Sequence, residues 1–236
     1  MPSDQDFAVG IGADHEARDS KRYRQVRFRS PPGSTEVLLV RHGESEPADP
    51  DRPFPMVDGR GDPALSALGR QQAVRIADRL AKTRVDAIYV TSLRRTAETA
   101  APLVARLGLV PRAEPALAEV NLGEWDGGVY RQRVAEGDPI VLQMIEQERW
   151  DVIPGAESNA SVAARVTAAV ERIAGSHPDR RVVCFAHGGT IGAVLAIATG
   201  SRPFAFTGSD NGAISTIVVT ERHWLLRGYN DRSHLE

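Results

Sequence analysis

Apolar residues follow two alternating patterns along most of the chain. Short, largely apolar runs predict strands covered on both faces, at residues 37–40, 86–90 and 181–186. Apolar residues at helical spacing predict amphipathic helices at 66–82, 94–107, 161–174 and 191–198, with a weaker helical pattern over 129–150. Residues 214–220 and 223–229 complete the series as two closing strands. This alternation predicts an α/β fold with three layers, α-β-α, around a mainly parallel sheet.

The first 34 residues differ from the rest in their charge pattern. Acidic residues come first, a basic stretch follows, and Ser-Pro-Pro-Gly at 30–33 closes the segment. We interpret residues 1–34 as a charged extension with a linker, and residues 35–236 as one domain. Two alternatives remain open for the extension: a solvated tail, or a segment that docks on the body or on a second subunit. The apolar candidates for docking are Tyr23, Val26 and Phe28.

Composition and charge narrow the class of protein. The 236 residues carry 29 Lys+Arg against 31 Asp+Glu, a net charge of −2, whereas a general nucleic-acid binder carries a clear basic excess. Only Lys21 and Lys82 are lysines, so the other cations are arginines, a bias typical of GC-rich bacterial genomes. We therefore expect no nucleic-acid partner. The open question is whether a few arginines have a role that lysine would not fill.

Cysteine content and hydropathy bear on the compartment. Cys184 is the sole cysteine, which excludes an intramolecular disulfide and a four-cysteine zinc site. No apolar stretch approaches the ~20 residues that span a bilayer. The N-terminal residues lack the apolar segment of a signal peptide. We expect a cytoplasmic protein without a membrane partner.

Polar residues cluster directly after the first three predicted strands. The clusters are Arg-His-Gly-Glu-Ser at 41–45, Thr-Ser-Leu-Arg-Arg at 91–95 and His-Gly-Gly-Thr at 187–190. Because ligands of open α/β sheets bind at the carboxyl ends of the strands, these clusters are expected to share one crevice. Guanidinium groups match phosphate oxygens, helix N-termini add amide donors, and a neutral imidazole is a competent nucleophile toward phosphorus. The crevice is therefore expected to bind a phosphoryl group.

Six sequence blocks, in order, resemble the histidine phosphatase superfamily, also called phosphoglycerate mutase-like, over most of residues 36–220. The blocks are L-V-R-H-G-E at 39–44, D-P-A-L-S-A-L-G-R-Q-Q-A at 62–73, R-T-A-E-T-A at 95–100, E-V-N-L-G-E-W-D-G at 119–127, P-G-A-E-S at 154–158 with Arg165, and A-H-G-G at 186–189. The resemblance implies a phosphoglycerate mutase-like fold. The G-x-W-x-G form resembles the phosphatase branch, which implies hydrolysis of a small phosphomonoester.

The resemblance also implies roles for five side chains. His42 attacks phosphorus and forms a phosphohistidine, while Arg41, Arg95 and His187 bind the phosphoryl oxygens and stabilise the transition state. Glu119 donates a proton to the leaving oxygen and then takes one from the attacking water. Catalysis in this scheme requires a neutral His42 and a protonated Glu119.

Two of these assignments have a close rival in the sequence. Arg94 and Arg95 differ by about 100° around a helix, so only one of them faces the crevice. Alignment on the Thr-Ala pair at 99–100 selects Arg95. The position within its motif likewise selects Glu119 over Glu124, which is expected to line the rim.

The resemblance implies no metal and no organic cofactor, because arginines supply the positive charge. A metal site on His42 and His187 is the alternative, but no Asp, Glu or Cys ligand pattern accompanies the pair. The backbone amide of Gly188 and the hydroxyl of Ser45 complete the expected substrate contacts.

The chain departs from the family pattern at two places. Pro47-Ala48 stands where the family often has Trp-Asn, and Gly192 replaces an arginine, which leaves substrate contacts open. Residues 123–150 are expected to form a lid over the substrate. Its side chains serve either substrate recognition or core packing, and the candidates are Trp125, Tyr130, Arg131, Arg133 and Trp150.

Two other functions remain alternatives to hydrolysis. Mutases of the family usually carry an arginine directly after the glutamate, whereas Val120 follows Glu119 here, so mutase-type phosphoryl transfer is the less favoured reading. A non-catalytic module that binds phosphorylated ligands is the second alternative. A homodimer through an edge strand or through the N-terminal segment is compatible with the sequence.

Overall fold

The computed structural model describes residues 23–236 of the chain. Its strands are β1 (Thr35–Arg41), β2 (Met56–Val57), β3 (Arg60–Gly61), β4 (Ala87–Val90), β5 (Arg112–Ala113), β6 (Arg181–Ala186), β7 (Ile214–Val219) and β8 (Trp224–Asp231). Its α-helices are α1 (Ala67–Leu80), α2 (Arg94–Leu107), α3 (Val129–Glu136), α4 (Pro139–Gln147), α5 (Asn159–Gly175) and α6 (Gly188–Thr199). Short 3₁₀ segments lie at Pro115–Leu117, Gly123–Gly128 and Trp150–Val152.

The central sheet has six strands in the order β5-β4-β6-β1-β7-β8. The pairs β5–β4, β4–β6 and β6–β1 are parallel, whereas β7 is antiparallel to both β1 and β8. Arg41 lies opposite Ala186, and Tyr89 lies opposite Cys184, so β1, β4 and β6 end level with one another. The segments that follow these three strands therefore meet at one end of the sheet, which we call the carboxyl end of the parallel strands.

Helices cover both faces of the sheet because side chains alternate along each strand. Leu39 of β1 and Cys184 of β6 face the apolar residues of α5 and α6. Their neighbours Val40 and Phe185 face α1 and α2. Each fully buried large apolar side chain contributes about 1.5–3 kcal/mol to folding. The predicted three-layer α-β-α fold is confirmed.

Most helices and strands lie where the hydrophobic pattern predicts them, with differences at their ends. Helix α6 begins at Gly188 instead of at position 191. The hydrophobic pattern misses its first turn because these residues are two glycines and a threonine. The weak helical pattern over 129–150 corresponds to α3 and α4, which Gly137 and Asp138 separate. Asp138 begins α4 by accepting a hydrogen bond from the Ile140 amide at 2.9 Å.

Only the end of the proposed N-terminal extension lies within the described residues, and its residues 1–22 lie outside them. Tyr23 is 96% exposed and Val26 is 65% exposed, so neither docks on the body. Phe28 does contact the body, because the guanidinium of Arg227 on β8 lies 3.7 Å from the centre of its ring. The described part of the segment is thus held at Phe28 and is free before it.

Two further expectations concern burial and membranes. Cys184 is fully buried in the sheet, and this burial raises the pKa of its thiol. Within residues 23–236, every helix falls short of the length and apolarity needed to cross a bilayer.

Candidate active site

His42 lies at the carboxyl end of the parallel strands, directly after β1, and is 5% exposed. Its Nδ1 lies 2.7 Å from the carbonyl oxygen of Gly43. Because a carbonyl oxygen only accepts, Nδ1 must be the protonated nitrogen of the neutral ring. Nε2 therefore carries a lone pair, and the Nε–H of Arg95 donates to it at 3.2 Å. This tautomer presents Nε2 as a nucleophile.

The loop that carries His42 is fixed by close backbone packing. A Cβ on Gly43 would lie 2.5 Å from the carbonyl oxygen of Gly69, and a Cβ on Gly69 would lie 1.9 Å from that of Glu44. Only glycine at both positions allows the loop and α1 to approach so closely. The Gly43 amide also donates to the hydroxyl of Thr99 at 3.0 Å. These contacts give a structural role to Gly43, Gly69 and Thr99, which lie in the first three motif blocks.

Arg95 faces the site, and Arg94 faces away from it. Arg95 is 6% exposed and donates through Nη1 to the Gly61 carbonyl at 2.9 Å, with Asp62 at 3.9 Å. The side chain of Arg94 pairs instead with Glu98 at 2.9 Å. Asp62 accepts a hydrogen bond from the Arg94 amide at 2.8 Å and so caps the N-terminus of α2. The position of Arg95 is thus set by its helix and by the turn around β3.

Arg41, the last residue of β1, is held by the loop before β7. Its amide donates to the Ala213 carbonyl at 3.0 Å, and its Nη1 donates to the Ser209 carbonyl. Its Nε is buried without a hydrogen-bond partner among the described residues. A Cβ on Gly188 would lie 3.4 Å from that Nε, so the first residue of α6 packs against the guanidinium. Arg41 and the N-terminus of α6 therefore face the same space.

His187 precedes α6 and is completely buried. The Thr96 hydroxyl donates to the Leu93 carbonyl at 2.8 Å, so the proton between the hydroxyls of Thr91 and Thr96 belongs to Thr91. Thr91 must then accept from Nε2–H of His187, which lies 3.0 Å away. Nδ1 of the neutral ring carries the lone pair, and it is buried without a partner among the described residues.

Burial and positive charge keep both imidazoles neutral. Burial lowers the pKa of His42 well below its usual range, and Arg95 and Arg41 lower it further. Burial lowers the pKa of His187 in the same way, with Arg95, His42 and Arg41 adding to the effect. The two rings lie 5.2 Å apart, centre to centre. Burial also lowers the pKa of Arg95 to about 10, which leaves its guanidinium charged at neutral pH.

Glu119 lies at the N-terminus of α6. Its carboxylate accepts hydrogen bonds from the amides of Val120 at 3.0 Å, Thr190 at 3.2 Å and Gly189 at 3.4 Å. A Cβ on Gly189 would lie 2.8 Å from Oε1 of Glu119, so this glycine makes room for the carboxylate. Glu124, its rival in the sequence, is exposed. The structure therefore brings Glu119 to the strand ends that carry the other four residues.

Two arginines that the sequence analysis did not assign hold the backbone of Glu119. Its carbonyl oxygen accepts hydrogen bonds from Nε of Arg60 at 2.5 Å and from Nη2 of Arg165 at 3.3 Å. Both arginines pair with Glu157, Arg165 at 2.7 Å and Arg60 at 3.6 Å. The P-G-A-E-S block with its trailing arginine thus positions Glu119. The sequence shows this block and Arg165 as a motif, whereas Arg60 belongs to none of the six motif blocks.

Ser45 is buried beside the catalytic loop, and its hydroxyl is engaged by the segment expected to form a lid. Arg131 of α3 donates to the Ser45 hydroxyl at 2.7 Å and to the Glu46 carbonyl at 2.7 Å. Burial raises the pKa of Tyr130, and the charge of Glu119 raises it further, so the Tyr130 phenol lies within the electrostatic reach of Glu119. Arg131 therefore lies beside the loop that carries His42, and the ring of Tyr130 lies 6.4 Å from that of Trp125, centre to centre.

Of the other three candidates in residues 123–150, Trp125 and Arg133 lie away from the crevice, whereas Trp150 packs behind Gly189. Trp125 is 6% exposed and belongs to a small core with Met144 and Ile153, so it serves packing. Arg133 pairs with Asp138 at 3.3 Å and points away from the site. Trp150 packs on Phe204 with ring centres 4.7 Å apart, and both line a cavity of about 340 Å³ between α5 and α6.

The positions that depart from the family pattern pack closely against neighbouring segments. Ala48 packs against Gly128, where an added Cβ would lie 3.2 Å from the Ala48 methyl. A Cβ on Gly192 would lie 3.1 Å from the Phe206 carbonyl oxygen. Neither segment supplies a polar side chain to the crevice. Within residues 23–236, no three His, Cys, Asp or Glu side chains form a cluster that could hold a metal ion.

Comparisons with known proteins identify the family of the chain. Residues 37–232 match the histidine phosphatase superfamily, branch 1. A glucosyl-3-phosphoglycerate phosphatase of Mycobacterium tuberculosis is 36% identical over 168 residues, which cover 68% of this chain and 73% of the relative. A metal-independent phosphoserine phosphatase of Arabidopsis thaliana is 32% identical over 207 residues, which cover 85% and 83%.

A solved structure supports the same family. A mycobacterial glucosyl-3-phosphoglycerate phosphatase in complex with VO3 superimposes with a TM-score of 0.70 at 32% identity, covering 83% of this chain and 98% of the other. The matched residues span β1 to the end of β8 and include the whole crevice. The chain belongs to branch 1 of the histidine phosphatase superfamily.

Proposed function

We propose that the chain hydrolyses small phosphomonoesters through a phosphohistidine intermediate on His42. The observation that carries the proposal is the neutral ring of His42, which is buried beside positive charge at the carboxyl end of the parallel strands. Its unprotonated Nε2 accepts a hydrogen bond from the Arg95 guanidinium at 3.2 Å. In the first step the Nε2–P bond forms and the bond from phosphorus to the leaving oxygen breaks. Protonated Nδ1 remains bonded to the Gly43 carbonyl and keeps the ring oriented.

Arg41, Arg95 and His187 bind the phosphoryl oxygens in this scheme. Arg41 Nε and His187 Nδ1 are buried polar atoms without partners among the described residues, and contact with a bound phosphoryl group would satisfy both. A phosphoryl group brings negative charge, which favours a proton on Nδ1 of His187, so that this nitrogen becomes a donor. The first amides of α6, beginning with Gly188, add donors at a helix N-terminus.

Glu119 moves the proton in both steps. It gives a proton to the leaving oxygen as the phosphohistidine forms. In the second step it takes a proton from water while the water oxygen bonds to phosphorus and the Nε2–P bond breaks, which releases inorganic phosphate. Arg60 and Arg165 fix the carbonyl of Glu119 and so hold its side chain beside α6.

Hydrolysis is favoured over the two alternative functions. Val120 follows Glu119, and it is 1% exposed, so this position supplies no charge that would hold a sugar acid for mutase-type return of the phosphoryl group. A binding module would not need a carboxylate at the N-terminus of α6 in the same crevice as a deprotonated Nε2. The relatives named above are phosphatases for glucosyl-3-phosphoglycerate and phosphoserine, which supports a small phosphomonoester as the substrate.

Further features extend the proposal. We assign residues 35–236 to the phosphatase domain, with 123–150 as its lid and residues 1–34 as an extension. The lone buried thiol of Cys184 fits a reducing, cytoplasmic location, and the arginine-rich composition fits a bacterial source. Strand β8 lies at the edge of the sheet and offers a surface for a homodimer, which light scattering on the purified protein tests directly.

Release of phosphate from p-nitrophenyl phosphate tests the proposed function. We expect His42→Ala to lower kcat by at least about 10³-fold, because the nucleophile is lost, whereas the exposed His223→Ala serves as a control that keeps full activity. Rapid acid-free quenching should trap a phosphohistidine on the wild-type chain. EDTA should leave the rate unchanged. Full activity of His42→Ala, or no turnover by the wild type between about pH 4 and pH 9, would overturn the proposal.

A further inference from the structure

The carbonyl oxygen of His42 is held by the loop before β7. The side-chain amide of Asn211 donates to it at 3.0 Å. The Gly212 amide lies 3.3 Å from the same oxygen, in a hydrogen bond that it shares with the Arg41 carbonyl at 3.1 Å. Because a carbonyl oxygen only accepts, the nitrogen of the Asn211 side chain must be the atom that faces His42. Asn211 is thus the closer of the two donors to the carbonyl of the nucleophile's own residue.

The same peptide group is held on its other side by α2. The N–H of Gly43 donates to the hydroxyl of Thr99 at 3.0 Å, and this hydroxyl donates to the Arg95 carbonyl at 2.6 Å. The two polar atoms of the peptide group that joins His42 to Gly43 are therefore bound to two different segments of the chain. Asn211 and Thr99 together fix the plane of this peptide group.

The plane of this peptide group determines where the carbonyl of Gly43 lies. Gly43 has no Cβ, so its own φ and ψ angles are weakly restricted and its conformation depends on contacts with its neighbours. Its carbonyl accepts the 2.7 Å hydrogen bond from Nδ1–H of His42, which leaves Nε2 unprotonated. A rotation of the peptide plane would lengthen this hydrogen bond and let the imidazole turn.

Asn211 can hold the peptide because its own loop is fixed to the sheet. The Asp210 amide donates to Oδ1 of Asn230 at 2.7 Å, and Nδ2 of Asn230 donates to the Asp210 carboxylate at 2.8 Å. The guanidinium of Arg232 lies 3.3 Å from the same carboxylate. The residue directly before Asn211 is thus tied to the end of β8 and to the residue that follows it.

We propose that Asn211 is a positioning residue, which orients the His42 imidazole through the backbone carbonyl of His42. The inference rests on the proposed function, because it adds a residue to the same reaction. Asn211 belongs to none of the six motif blocks. Loss of its side chain should slow the attack of Nε2 on phosphorus and leave the groups that bind the phosphoryl oxygens in place.

Asn211→Ala tests the proposal, with Asn159→Ala as the matched control. The Asn159 side chain also donates to a backbone carbonyl, that of Glu148 at 2.7 Å, but it does so at the start of α5. We expect Asn211→Ala to lower kcat/KM for p-nitrophenyl phosphate about tenfold or more, because a small misplacement of a reacting group is costly. The inhibition constant of inorganic phosphate should change by less than about twofold. Asn159→Ala should keep both values, although each variant should lower Tm by about 2–4 °C.

The proton on Nδ1 of His42 gives a readout that a loss of stability alone would not change. In a chain that carries ¹⁵N-labelled histidine, a proton in so short a hydrogen bond should resonate far downfield, both in the wild type and in Asn159→Ala. We expect this resonance to move upfield or to broaden in Asn211→Ala, because the hydrogen bond to the Gly43 carbonyl lengthens. Asn211→Asp keeps the shape of the side chain but has no N–H, so it should show the same changes.

Three outcomes would overturn the inference. The first is an equal change of kcat/KM in the two alanine variants, or full activity of Asn211→Asp. The second is a loss of phosphate binding as large as the loss of kcat/KM, which would place Asn211 on the phosphoryl group. The third is an unchanged Nδ1 proton in both Asn211 variants. If His42→Ala kept full activity, the proposed function would fail, whereas the Nδ1 proton would still show whether Asn211 orients the ring.

Discussion

Gly189 gives a way to displace Glu119, the proposed proton donor, by a single added methyl group. In Gly189→Ala the new Cβ would lie 2.8 Å from Oε1 of Glu119, 2.9 Å from Cγ2 of Val120 and 3.2 Å from Cζ2 of Trp150. Ordinary contacts of this kind are roughly 3.5 Å or longer. The carboxylate is the end of a flexible side chain, so it yields first. His42 and Arg95 lie on other segments and keep their positions.

The size of the effect follows from the role of Glu119. General acid catalysis contributes about 10²–10⁴-fold, and a misplacement of about 1 Å costs on the order of 10²-fold. We expect kcat/KM for an alkyl phosphate such as glycerol 3-phosphate to fall about 10²-fold, or ~2.7 kcal/mol. For p-nitrophenyl phosphate we expect a loss of about threefold or less, because p-nitrophenolate leaves without a proton and kcat/KM reports on this first step.

A matched glycine variant controls for the loss of backbone freedom. A Cβ on Gly175 would have no neighbour within 4 Å, so Gly175→Ala should leave both substrates unaffected. Phosphate release is measured for both variants with both substrates, and thermal unfolding shows that each is folded. An equal loss on the two substrates, or no loss on either, would refute the argument that Gly189 makes room for an acid catalyst.

Three further predictions follow from the site and the core. Arg95→Lys should lower kcat/KM by at least about tenfold, ~1.4 kcal/mol, because lysine lacks the forked donors, and near-normal hydrolysis of p-nitrophenyl phosphate would contradict this. Burial lowers the pKa values of His42 and His187, so below about pH 6.5 the unfolded chain binds more protons than the folded one. The free energy of unfolding should therefore fall as the pH is lowered from about 7.5 to 5.5, and urea titrations that gave the same stability at both values would count against neutral buried imidazoles. Phe185→Ala should cost about 3–5 kcal/mol in the same titrations, since the ring is fully buried between the sheet and α1 and α2, and a cost below about 1 kcal/mol would show that the cavity collapses.

The sequence predicts the fold well where burial alone determines the structure. Strand β6 has the predicted bounds because residues 182–186 are buried and form a continuous apolar run directly after Arg181. Helix α2 is likewise predicted from end to end, with Gly108 as its C-cap. The two-residue strands β2, β3 and β5 were not predicted, because pairs that short have no detectable period.

The sequence predicts which motif residues the fold brings together, but it does not predict the residues that support them. His42, Arg95 and Glu119 belong to recognisable blocks, but Arg60 reaches the Glu119 carbonyl from a distant part of the chain, and no local pattern marks such a contact. Within the proposed lid, the sequence does not separate Arg131 from Arg133. Two residues along a helix differ by about 200°, so the two arginines face opposite directions, and only packing decides which faces inward.

The antiparallel direction of β7 has a practical consequence for handling the protein. Because β7 is antiparallel to β1, it begins at the carboxyl end of the parallel strands. Strand β8 returns to this end, and His234, which follows β8, meets the Gly212 carbonyl at 3.0 Å. Gly212 in turn donates to the Arg41 carbonyl at 3.1 Å. The described residues before β1 lead into the sheet at its opposite end. An affinity tag or surface tether attached before β1 therefore leaves the crevice open, whereas one attached after Glu236 adds bulk beside the backbone that supports Arg41.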